Sequence, residues 1–114
     1  MVEVVEFVEP AETAEAKNVR LEKEYIDENI IKIRELIKDN LYYPRSARKR
    51  RVTGEVVVKF TISTDSEVHS IEIVSSKSDI LSRAAKKTIE NLSSEFPKPD
   101  EELILHVPIS YKLD

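Results

Sequence analysis

Apolar residues follow two rhythms along this chain, and each predicts a different kind of element. Ile26, Ile30, Ile33 and Ile37 recur at i, i+4, i+7 and i+11, which puts them on one face of a helix. Lys32, Arg34, Glu35 and Lys38 fall largely on the other face, and Asp39-Asn40 offers a stopping point. From Val56 the period drops to two. Val56, Val58, Phe60 and Ile62 alternate with Glu55, Val57, Lys59 and Thr61, predicting a strand with one buried face. Thr64-Asp65-Ser66-Glu67 supplies turn residues, and Val68 to Val74 forms the returning arm of a hairpin. Ile71 and Ile73 are out of phase with Val68 and Val74 there, which predicts a bulge or a strand apolar on both faces.

Ser78 is a candidate N-cap, and Asp79 behind it favours the helix dipole. The helix that follows carries Leu81, Ala84, Ala85, Thr88 and Leu92 on one stripe, and Phe96-Pro97-Lys98-Pro99 ends it. The last strand is the clearest in the chain. Leu103, Leu105, Val107, Ile109, Tyr111 and Leu113 alternate with Ile104, His106, Pro108, Ser110 and Lys112. Pro108 has no N–H to give a ladder, which places this strand at a sheet edge.

The order helix-strand-strand-helix-strand predicts an α+β fold. A hairpin followed by a helix that carries the chain back gives a three-stranded antiparallel sheet of order 2-1-3, with two helices packed mainly on one face. The last strand then has a free edge, with the backbone groups of His106, Pro108 and Ser110 on one lateral side. That edge admits two readings: protection against unwanted pairing by Pro108 and Lys112, or a site where an extended peptide adds a strand.

Residues 1–24 read as an N-terminal tail or linker and residues 25–114 as the domain. Val2 to Val8 is β-prone, and either belongs to the tail or adds to an open sheet edge in the same or a second copy. Tyr43 before Pro44 is pushed towards an extended conformation. The basic run Arg45 to Arg51 then begins a helical turn, with Pro44 at its first position.

Composition trims the options. The chain has 114 residues, room for one core; its net charge of −4 gives no overall footprint for nucleic acid. With no cysteine there are no disulfides and no thiolate chemistry. No apolar run reaches the roughly 20 residues of a membrane helix. Met1-Val2-Glu3 opens acidic where a secretory leader would be basic, so a cytoplasmic protein and a piece of a longer one both stand open. His69 and His106 lie on different strands and read as solvent-facing. The single glycine, Gly54, excludes phosphate-cradling loops and reads as a bend opening the first strand. We expect no enzyme, no catalytic residues, no metal site and no cofactor. The five charges of Arg45–Arg51 read as a solvated segment, against a nucleic-acid patch as the rival.

Tyr43-Pro44-Arg45-Ser46-Ala47-Arg48 resembles the Tyr-Pro-x-x-Ala-Arg signature of TonB C-terminal domains. Gly54 to Ile62 is similar to that family's Gly-x-Val-x-Val-x-Phe-x-Ile strand, and Val74-Ser75-Ser76 to its Val-x-Ser-Ser. Leu81 with Ala84-Ala85, Phe96-Pro97, and Val107-Pro108-Ile109-Ser110-Tyr111 continue the likeness, which spans about residues 30–113. Departures are Asp65-Ser66 where Asp-Gly is usual, Ser82 where Asp is common, and Asn40-Leu41-Tyr42 where some members carry Gln-Pro-Gln.

The resemblance implies the periplasmic end of an inner-membrane-anchored energy transducer, with its membrane helix and its ExbB/ExbD motor contacts lying outside this sequence. It implies capture of the TonB box of outer-membrane transporters by strand addition, and transmission of proton-motive-force-derived energy for uptake of siderophores, haem, metals or cobalamin. Carried onto this chain, the partner-binding residues are Asn40, Tyr42, Tyr43, Pro44 and Arg45, with Ile104, His106, Val107, Pro108, Ile109, Ser110 and Lys112. A homodimer is compatible with this reading, and nucleic acid is not an expected partner. The alternatives are a TonB-like or TolA-like adaptor for another partner, or a basic-patch nucleic-acid module whose binding would fall steeply with salt.

Overall fold

A computed structural model of the chain describes residues 12–113. The elements run α1 (Ala14–Asn40), α2 (Arg45–Lys49), β1 (Gly54–Ile62), β2 (Val68–Ser75), α3 (Asp79–Asn91) and β3 (Leu103–Tyr111). The sheet is three-stranded and antiparallel, ordered β2-β1-β3, as expected.

One face of the sheet holds the core. Val56, Val58, Phe60 and Ile62 of β1 are fully buried, and Leu103, Leu105, Val107, Ile109 and Tyr111 of β3 lie beside them. Over them sit Leu81, Ala84, Ala85, Thr88 and Ile89 of α3, with Tyr25 and Ile33 of α1. The alanines let α3 lie close to the strands, and Phe96 closes the core by stacking on Phe60 at 5.6 Å between ring centroids. The other face carries His106, Pro108 and Ser110 in the open.

Ser78 caps α3 as predicted, its Oγ accepting from the Leu81 N–H. The helix stops at Asn91, earlier than the prolines require. Leu92 caps it, and Ser94 turns the chain with a positive φ of 72° while donating its N–H to the Ser66 carbonyl. The α2 helix is one short turn, and Pro44 stands just before it as N-cap.

The first helix departs most from expectation. It begins at Ala14, twelve residues before Ile26, so 14–24 is helical where the sequence reading placed a tail. Thr13 caps it, accepting from Ala16 N–H at 3.1 Å. The strand considered for Val2–Val8 lies outside the described residues.

The two ladders of β1 differ. Its pairing with β3 runs without a register shift from Gly54↔Tyr111 to Ile62↔Leu103. Its pairing with β2 is interrupted twice, between Val57 and Val58 and between Lys59 and Thr61, where the out-of-phase isoleucines predicted a bulge. Ser70 takes a positive φ of 55° within β2.

Candidate partner-binding edge

Strand β3 has β1 on one side only. Its residues therefore divide by parity, because backbone groups along a strand point alternately to the two sides. Ile104 settles which set points outward, since its N–H and C=O both bond to a side chain of α1 rather than to β1. His106, Pro108 and Ser110 follow by alternation. Pro108 thus presents no missing donor to β1, and its ring costs the native ladder nothing. Val107 and Ile109, also expected at the partner site, direct their backbone groups to β1 and bury their side chains in the core. They shape the edge from behind and have no side-chain surface to offer.

The second predicted cluster lies at the C-terminal end of this strand. The Tyr43 ring meets Tyr111 edge-on at 5.0 Å, and its hydroxyl donates to the Val52 carbonyl. Pro44 is half-buried beside it. Tyr42 is 40% exposed, yet its N–H is tied to Thr88 Oγ1 at 3.0 Å, and Lys87 Nζ stands 4.6 Å from its ring centroid. Asn40 and Arg45 are exposed, Asn40 Nδ2 donating back to the Leu36 carbonyl at 2.8 Å. Tyr43 therefore joins the two clusters only at Tyr111. Ile104 and His106, at the other end, meet different residues.

Those residues are Asn18 and Glu22, which the sequence reading did not single out. Asn18 Oδ1 accepts from Ile104 N–H at 2.7 Å, while its Nδ2 donates to the Ile104 carbonyl at 3.1 Å. Glu22 Oε2 accepts from His106 N–H at 2.6 Å and lies 2.8 Å from the imidazole Nδ1. A signal was present. Positions 18 and 22 extend the series 26, 30, 33, 37 backwards along the same face of α1. Where the apolar stripe runs past the sheet, it turns polar and meets the strand edge.

Further ties hold this end of α1. Lys17 Nζ lies 2.8 Å from Glu101 Oε1 and holds that carboxyl below its usual range. Arg20 does the same for Glu12 at 3.0 Å. Both pairs are well exposed and contribute little. Deeper along the helix, Tyr25 Oη donates to the Pro97 carbonyl at 2.6 Å, and burial pushes its phenol up to about 12.

Among the described residues, no group of three or more His, Cys, Asp or Glu is arranged to hold a metal ion, and no helix is long and apolar enough to cross a membrane. The basic run is spread over α2, its cap Arg50 and the residue after it, with Arg45, Arg48, Lys49, Arg50 and Arg51 all exposed and only Ala47 buried.

The sequence profile of the Gram-negative bacterial TonB protein C-terminal family matches residues 39–113. The chain belongs to the TonB C-terminal domain family. It is 42% identical over 88 residues to protein TonB of Helicobacter pylori strain J99, covering 76% of this chain and 31% of that protein. Protein TonB of Campylobacter coli is 38% identical over 82 residues, covering 71% and 35%. The chain thus spans about a third of the length of these curated relatives. Its fold is also that of the solution structure of the Helicobacter pylori TonB C-terminal domain. The TM-score is 0.72 at 36% identity, covering 91% of this chain and 98% of that one.

Proposed function

We propose that this domain grips outer-membrane transporters in the periplasm, taking their TonB box as a fourth strand along the outer edge of β3. The observation that carries this reading is the regular, outward-facing edge at Ile104, His106, Pro108 and Ser110, backed by an unbroken ladder to β1. An extended segment placed there gains main-chain hydrogen bonds whatever its side chains, and reads the adjoining side chains for selectivity. Tyr43 meets the far end at Tyr111, and the neighbouring Tyr42 offers an exposed ring, with Asn40 and Arg45 exposed on either side in the chain.

Energy enters from the inner membrane. An ExbB/ExbD motor, coupled to the proton-motive force and joined through a preceding membrane helix, pulls on the domain. The domain passes that pull to the transporter, driving uptake of siderophores, haem, metals or cobalamin. A strand loaded along its own axis distributes force over several hydrogen bonds together, which suits a coupling that must hold under tension. Two copies paired through the same edge would compete with the transporter for it.

The test is an amide NMR titration of the full chain with a synthetic TonB-box peptide at low and moderate salt. Shifts at His106, Ser110 and Lys112 and through Asn40–Arg45 that survive added salt are expected. Shifts confined to Arg45–Arg51 and abolished by salt would point instead to an anionic partner. Silence with several unrelated boxes would move the function to another protein partner.

A further inference from the structure

We propose that the first three turns of α1, Ala14 to Glu24, are a displaceable cap on the partner-binding edge, with Asn18 and Glu22 holding the places that an added strand would take. The proposal rests on the reading of β3 as the docking edge and names how that edge is regulated.

The chemistry of the two contacts is that of a missing strand. In an antiparallel pair, a residue exchanges both its N–H and its C=O with the residue opposite. The Asn18 carboxamide reproduces this exchange at Ile104, accepting from the N–H and donating to the C=O. Glu22 supplies the acceptor for the next outward N–H, at His106, and adds the imidazole. The spacing agrees as well. One helical step of four residues advances about 6 Å, and two strand residues about 6.6 Å, so positions 18 and 22 fall in register with 104 and 106. The next positions in each series are Ile26 and Pro108. The helix has no polar group at the point where the strand has no donor.

Besides these bonds the stretch is held by the half-buried Leu21, which packs against the edge of the core, and by the exposed Lys17–Glu101 pair, which contributes little. Between Thr13 and Arg20 every residue is exposed except Asn18, which is half-buried, and the first buried side chain of the helix is Tyr25. Helix ends with few buried contacts open at low cost. Residues beyond Tyr25 remain anchored by Ile33 and by the bond to Pro97. The first three turns can therefore lift at the cost of one partly buried side chain, Leu21, and without unfolding the domain. A partner strand then occupies the full edge only at the expense of the cap, and its apparent affinity is reduced by the cost of uncapping.

Asn18→Ala with Glu22→Ala tests this directly, since alanine keeps the helix and removes only the side-chain contacts. Hydrogen exchange at the Ile104 and His106 amides is expected to accelerate about tenfold or more while Val58 and Phe60 stay protected. The TonB-box peptide is expected to bind about five- to tenfold tighter, with its shifts still on β3. Glu22→Gln retains an acceptor oxygen and is expected to stay within about twofold of the wild type.

If peptide shifts fall on β3 with equal or weaker affinity in the double variant, the docking reading stands and the cap is overturned. Unchanged exchange at Ile104 and His106 also overturns it. If neither protein shows peptide shifts on β3, the docking reading fails and takes the cap with it.

Discussion

The two edges of the sheet are built to opposite ends. Along β3 the ladder to β1 is regular, the inner side chains are buried in strict alternation, and the outward backbone groups stand in line. Along β2 the register slips twice, Ser70 turns to a positive φ, and no side chain is fully buried. A bulged, twisted edge offers an incoming strand no continuous row of partners, whereas a straight one does. One edge of this domain is protected by its own irregularity. The other is regular, and α1 covers it at Ile104 and His106.

Several changes would break or sharpen that contrast. The largest effect is expected at Phe60, in the strand both edges share. Phe60→Ala removes a fully buried ring stacked on Phe96 and is expected to cost about 3–5 kcal/mol in a urea melt. A cost under about 1 kcal/mol would mean the core does not organise the edges as described.

Next is Ser66, at the turn serving the irregular side. Its φ is 72°, and its buried Oγ donates to the Phe96 carbonyl at 2.7 Å. Ser66→Ala keeps the unfavourable backbone and loses the bond, for an expected loss of about 1–3 kcal/mol. Ser66→Gly is expected to lose less, because glycine adopts that φ freely. The opposite order in thermal melts would rule out this account.

On the regular side, Ser110→Pro removes an outward N–H and leaves the bonds to β1 in place. Peptide affinity is expected to fall about tenfold, with stability changed by less than about 1 kcal/mol. An unchanged affinity would argue that partners avoid this part of the edge.

A smaller, pH-dependent effect belongs to Tyr25, the anchor behind the capping turns. The unfolded chain gives up this phenol proton near its ordinary value of 10.0 and the folded one near 12. The folded form holds more protons in between, so stability falls as pH rises through that window. Burial raises Tyr111 in the same direction. Tyr25→Phe is expected to shallow the fall in urea midpoints measured across that range.

The smallest change is expected on β2 itself. Glu72→Lys disturbs only an exposed pair with Lys59, 4.0 Å apart. It should shift stability by less than about 0.5 kcal/mol and leave peptide binding alone.

How much of this was legible in the residues depended on burial. The strands β1 and β3 and the stripe of α3 were readable because alternate or one-in-four side chains enter one core, and burial imposes period. The order of the sheet followed from hairpin and crossover geometry, and the outward turn of Pro108 from the missing N–H. The start of α1 was not readable by that logic. From Ala14 to Arg20 the helix buries no apolar side chain and leaves no apolar stripe. Its signals were the Thr13 cap, the good helix formers Ala14, Glu15, Ala16 and Lys17, and the Arg20–Glu24 pair one turn apart. Asp65-Ser66 raised the question of the turn type, and the serine proves to occupy a backbone conformation usual for glycine, compensated by a hydrogen bond invisible in sequence. Asn18 and Glu22 escaped for a related reason. Polar residues that bond to backbone carry no periodic mark of their own, and only their alignment with Ile26 and Ile30 betrays them.

Pro108 divides the outer edge into two halves of unequal access. Towards Ile104 the edge is covered by α1, whereas around Ser110 no described residue hydrogen-bonds to the outward groups. The uncovered half is a toehold in the sense used for nucleic-acid strand exchange. In the proposed capture, an arriving segment would seat against Ser110, then invade past the proline towards His106, trading each helix contact for a main-chain one as it advances. The barrier to capture would thereby be split into small steps, and the encounter would acquire a direction.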